Sequence, residues 1–135
     1  MTTPILTALL SAGMTHGQAK AAFTACWPDL RLGLYWPTAA FYKEDSRAED
    51  AQTEDHDVLR AQGAADTVVV TGNLTEAQCR DMIYRTFHLE TEIHYSHGWY
   101  VRGETIHERQ EIVSRWRAEF EARHGHSPGP RDRID

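Results

Sequence analysis

Three times this chain places a threonine three residues ahead of a glutamine or glutamate: Thr15 with Gln18, Thr75 with Gln78, and Thr105 with Glu108. In each, the hydroxyl can accept the third residue's amide while the longer side chain reaches back, the reciprocal arrangement that fixes a helix start. Each box opens an amphipathic run, so helices are expected over about 16–27, 76–88 and 106–124. Leu74 and Cys79 stand where a hydrophobic staple would brace the middle one. Thr3 followed by Pro4 predicts a fourth helix over about 4–12, ended by Gly13 and carrying Ile5, Leu6, Leu9 and Leu10 on one side.

Between these starts the pattern changes period. Thr67-Val68-Val69-Val70-Thr71 is a β-branched run closed by Gly72-Asn73 and reads as a strand. Residues 89–95 alternate, with Thr91, Ile93 and Tyr95 on one face and Glu90, Glu92 and His94 on the other. Trp99-Tyr100-Val101-Arg102 then reads as the return arm of a hairpin turning at His97-Gly98. Residues 30–36 alternate weakly as a short strand or packed segment, and a short helix is expected near Val58–Gln62.

The expected fold class is α+β: an N-terminal αα-hairpin followed by a βαββα unit, with a small three-stranded sheet and two packed helices. The expected organisation is a helical N-terminal lobe over 1–43, an acidic linker over 44–65, the βαββα lobe over 66–124 and a flexible tail over 125–135, in one compact unit overall. A chain of 135 residues, 41% hydrophobic, is long enough for one good core. Val68, Val70, Ile93, Tyr95, Trp99 and Val101 are the expected sheet contribution to it, and Ile106, Val113, Trp116 and Phe120 form the stripe of the last helix. Cys26 and Cys79 lie in apolar helical patterns without a CxxC partner, as reduced core thiols do. With no long apolar run and no basic leader at Met1-Thr2-Thr3-Pro4, a soluble, cytoplasmic protein is expected.

Charge is concentrated. Residues 44–57 hold seven acids, Glu44, Asp45, Glu49, Asp50, Glu54, Asp55 and Asp57, against Arg47 alone. The rest of the chain carries 13 acids and 13 bases, so the formal net charge of −6 belongs to this stretch. A helix would turn the three Glu-Asp pairs away from one another, which speaks against a straight charged face. Tyr35, Trp36, Phe41 and Tyr42 precede the acids, and an aromatic anchor flanked by charge is a common interface design.

Other chemistries find less support. His94, His97, His107 and Glu111 are the set that could ligate a metal, yet HExxH and CxxC spacings are absent and no cofactor is implied. Glu92, His94, Tyr100 and Arg102 share a sheet face and are the set for a general acid/base enzyme. Val70-Thr71-Gly72-Asn73-Leu74-Thr75 resembles neither a Walker loop nor a dinucleotide fingerprint. Residues 4–27 could form a helix-turn-helix, but few Lys or Arg stand on the second helix. The arginines of the last helix alternate with glutamates as a solvated face.

The reading that best accounts for these features is a non-enzymatic protein-binding module, a small inhibitor or regulator of a nucleic-acid-handling complex of the kind a mobile element encodes. Its acidic segment would meet a basic protein surface, one that binds nucleic acid among the candidates, with no direct nucleic-acid or membrane contact. The alternatives are a small metal-dependent enzyme using the His/Glu cluster of residues 88–111, and a helix-turn-helix DNA-binding regulator.

Overall fold

The computed structural model describes residues 6–38 and 51–134. Their order is β1 (Thr7–Ser11), α1 (His16–Cys26), β2 (Arg31–Tyr35), β3 (Thr67–Thr71), α2 (Glu76–Phe87), β4 (Glu90–His94), a 3-10 turn (Ser96–Gly98) and α3 (Ile106–His124). The class is α+β, with three helices and two small antiparallel sheets among the described residues.

The helix starts follow the threonines. Thr15 and Thr75 each accept the amide three residues on, at 3.1 Å, while Gln18 and Gln78 return to the threonine amide at 2.9 Å. The third box is altered, because Thr105 caps Glu108 but the Glu108 carboxylate takes the Glu104 amide instead.

The expected helix over 4–12 is corrected: Thr7–Ser11 is a strand, so there is no αα-hairpin and no helix-turn-helix. Ala8 and Leu10 point inward while Thr7 and Leu9 point outward, and β1 pairs along its length with β3. A ladder partner offered by the Val68-Val69-Val70 run outweighs the intrinsic helical preference of Ala and Leu. Gly13, with φ 94°, serves the turn into α1 rather than a helix end.

The three-stranded sheet is corrected as well. Among the described strands β1 pairs with β3 and β2 with β4, and Tyr35 at the end of β2 adds a single bridge to Gln52. The expected return arm over 99–102 is not a strand; the chain after β4 closes the 3-10 turn through a Tyr95–Trp99 bridge. The alternation of residues 90–95 holds, with Thr91, Ile93 and Tyr95 buried and Glu90, Glu92 and His94 less so. No helix forms over 58–62; Val58 bridges Thr15.

The two sheets join two segments of the same topology. β1-α1-β2 and β3-α2-β4 follow one another at a shift of about sixty residues, with Thr15 and Gln18 standing over Thr75 and Gln78. The first ladder is centred on Leu9 opposite Val69, sixty positions on, and the second on Gly33 opposite Glu92, fifty-nine positions on. Each ladder is antiparallel and joins a strand of the first half to a strand of the second.

Phe23, Trp27, Leu30, Leu34, Val70, Ile83, Ile93 and Ile106 lie in one continuous core, drawn from both halves and from α3. The segment after α3, expected to be mobile, lies against that body: Ile134 packs on the core, and the Trp99 indole donates to the Pro130 carbonyl at 2.8 Å. Among the described residues no helix is long and apolar enough to cross a membrane.

Candidate functional site

Residues 51–59 carry the C-terminal part of the acidic stretch and cross the N-terminal end of α1 as a strap. The Trp36 and Thr53 amides donate to the Ala51 and Leu34 carbonyls at 2.8 and 3.1 Å, which fastens the strap to the end of β2. Farther along, the His16 and Gly17 amides donate to the Asp57 and Asp55 carbonyls at 2.7 and 2.9 Å. The first turn of a helix has free amides that need acceptors, and the strap backbone supplies them. Gly17 permits the approach, since a Cβ there would stand 3.1 Å from the Asp55 Cβ. Ala51, Thr53 and Leu59 are buried along the strap, while Glu54, Asp55 and His56 face outward. These acids belong to an ordered, hydrogen-bonded segment and not to a free linker.

The strap explains a buried histidine that sequence reasoning passed over. His16 is 1% exposed, with Nδ1 2.7 Å from the Thr53 hydroxyl. That hydroxyl donates to the Leu34 carbonyl, so it accepts from Nδ1–H and fixes the neutral tautomer. Burial pushes the His16 pKa below its ordinary value of 6.5 and Lys20 acts in the same sense, against Asp57 and Asp55. The only legible signal was position, a histidine at the first residue of a capped helix.

Because a neutral His16 must gain a proton unfavourably in the folded state, the unfolded chain binds more protons as pH falls through about 6.5. Stability is therefore expected to be full above that value and to decline below it, before the carboxylates titrate. His94, also lowered chiefly by burial, adds to the same trend. Thermal midpoints compared at about pH 7.5 and 5.5 should show a loss for the wild type that shrinks in His16→Asn.

Of the expected anchor residues, Tyr35 is buried at 6% exposure within β2, whereas Trp36 is 41% exposed with its ring 5.8 Å from that of His16. Val58, 40% exposed, joins Trp36 and Asp57 in the wall of a notch of about 130 Å³. Beside it Lys20, Glu54, Asp55 and His56 line an open depression of about 540 Å³. Lys20 reaches Asp55 at 3.0 Å, but the Asp55 side chain is 75% exposed. Glu44, Asp45, Glu49, Asp50, Phe41 and Tyr42 lie outside the described residues. Thr38 and Ala51 flank the segment that carries them, and the Trp36 amide donates to the Ala51 carbonyl.

No family model, curated protein or solved structure matches this chain. Its chemistry therefore rests on the arrangement of its own residues.

The acid/base set is brought together in part. Tyr100 donates a hydrogen bond to the Glu92 carboxylate, and its ring meets that of His94 edge-on at 6.4 Å. Burial, the bond to Glu92 and the nearby acids all push the Tyr100 pKa up, so the hydroxyl stays protonated and acts as a donor rather than a base. Arg31 faces His94 across the ladder, a neighbour that only the strand pairing reveals. Arg102 lies with Tyr100 in the wall of a separate groove toward α3.

Among the described residues the metal set is not brought together. His107 pairs with Glu111 at 3.2 Å on an exposed face of α3, His94 stands beside Tyr100, and the His97 side chain lies outside the described residues. Among the described residues no three His, Cys, Asp or Glu side chains converge as a cation site. Both cysteines are free, and burial raises the Cys79 pKa to about 12, which removes its thiolate at neutral pH.

Proposed function

We propose that this chain is a protein-binding module without catalytic activity, acting as a small inhibitor or regulator that docks a basic partner surface on the strap across α1. The observation that carries this reading is the half-exposed Trp36 beside Val58 and the outward acids Glu54 and Asp55. The indole and Val58 supply an apolar anchor, and the depression lined by Glu54 and Asp55 suits a lysine or arginine head group. The further acids of residues 44–50 connect to the described chain at this edge, which adds long-range attraction for a cationic surface. Because the strap is tied into the fold through backbone bonds, the anchor is presented with little ordering cost on association. A partner surface that normally holds nucleic acid is one with the required positive charge.

The test is capture from the source cell, identified by mass spectrometry, with wild-type chain and two variants as bait. In one, Glu49, Asp50, Glu54 and Asp55 become amides; in the other, Trp36 becomes Ala. Each is expected to weaken the captured complex at least tenfold at low salt, and the first should abolish its salt dependence. Equal capture by all three chains would reject the reading.

A further inference from the structure

A second surface lies away from the strap, where the chain beyond α3 occupies a trough between that helix and the loop after β4. Gly125, at φ 76°, ends α3 and turns the chain back. Gly129 and Asp132 then close a turn on each other, the Gly129 amide donating to the Asp132 carboxylate at 2.7 Å and the Asp132 amide to the Gly129 carbonyl at 3.1 Å. Pro130 stands at the second position of that turn, where its fixed φ is favoured.

Three contacts seat the segment. The Trp99 indole N–H donates to the Pro130 carbonyl at 2.8 Å, the Arg133 guanidinium lies 4.8 Å over the Trp99 ring, and the Ile134 amide donates to the Tyr95 hydroxyl at 2.6 Å. Trp116 stands edge-on to Tyr95 at 5.5 Å and continues the aromatic floor. An indole donating to a carbonyl beside proline, on an aromatic wall, is the chemistry by which proline-containing peptides are recognised, and the stacked arginine adds a cation–π term.

The segment does not fill its trough. A cavity of about 450 Å³ remains on one side, among Asp29, Arg31, Trp116 and Pro128. Another of about 620 Å³ remains on the other, among Tyr100, Arg102, Ile112 and Ile134. The occupant is thus held by a few contacts in a site shaped for more.

We infer that this trough is a peptide-binding groove, occupied in cis by residues 128–134, and that its partner in trans is a basic segment of the same chemistry: a proline turn followed by an arginine and an aliphatic residue. The tethered copy is a competitor at an effective concentration of about millimolar, so an outside peptide must use the flanking cavities or meet a weakened tail. Neither Trp36 nor the strap acids touch this groove, and the two surfaces succeed or fail separately.

The probe is a fluorescein-labelled peptide carrying residues 126–135, followed by anisotropy with full-length chains. Substituting Pro130→Gly and Arg133→Ala together loosens the cis segment while leaving Tyr95, Trp99 and Trp116 in place. This variant is expected to bind the peptide at least tenfold tighter than wild type, and adding Trp99→Phe should cancel the gain. Equal binding by wild type and variant, or a gain untouched by Trp99→Phe, would overturn the inference. Should the variant lose its cooperative thermal transition, wild-type chain with peptide at millimolar concentration decides the matter. A nitroxide on that peptide broadens the Trp99 indole NMR signal if the groove accepts it, and an unbroadened signal refutes the groove.

Discussion

Replacing Trp27 by alanine is expected to cost about 3–5 kcal/mol, the range for emptying a large aromatic site in a core. Trp27 is fully buried, closes α1 by donating its amide to the Phe23 carbonyl, and packs its ring 4.9 Å from that of Phe23. It also joins the two β-α-β halves. A Cβ built on Gly72, in the β3–α2 turn, would lie 3.5 Å from the indole nitrogen. Since a domain of this size has a total stability of about 5–15 kcal/mol, the loss is a large share of it. Urea unfolding measures the effect directly. The indole N–H is buried without a hydrogen-bond partner among the described residues. Trp27→Phe therefore removes an uncompensated donor along with some volume and is expected to cost less than about 1.5 kcal/mol. A phenylalanine variant as unstable as the alanine one would contradict that account of the indole.

The second large effect lies at Glu76 and Arg109, an ion pair whose side chains are only 16% and 17% exposed. Glu76 is the first residue of α2, and Arg109 comes from the opening turns of α3 and donates through Nε to the Gly103 carbonyl at 3.0 Å. The pair fastens one helix start to the other. Glu76→Ala leaves a largely buried guanidinium with a single acceptor and is expected to cost roughly 2–4 kcal/mol, somewhat below the figure for a fully buried charge. Replacing both by leucine removes the orphaned charge together with its partner, so the double variant should be more stable than the sum of the single losses implies. A double-mutant cycle in urea should give a coupling of at least about 1 kcal/mol. Strict additivity of the four chains would show that the pair holds nothing.

This pair also shows where sequence reasoning stopped. Glu76 was legible as a helix-start residue and Arg109 as one of several arginines among glutamates, which is the composition of a solvated face. Nothing in either local pattern says that they meet, because their contact depends on the bridge between Thr75 and Thr105 that brings the two helix starts together. The candidate site divides in the same way. Trp36 and the acids of residues 54–57 stood out by charge and aromatic content. That Tyr35 is buried with its ring over Gly33, that His16 is buried under the strap and that Val58 completes the notch follow from tertiary packing alone.

The sequence by itself determined the three helix starts, the Val68–Val70 strand, the inward face of residues 91–95 and the place of the net charge. Each rests on groups within a few residues of one another, a hydroxyl and the amide it can reach, or the two-residue period of a strand. Only the tertiary structure decided that Thr7–Ser11 is a strand, that the sheets are two antiparallel pairs each joining the first half to the second, and that residues 51–59 close over α1. Leu9-Leu10 can serve a helix or a strand, and the choice fell to a ladder with residues sixty positions away, an energy that no local window contains.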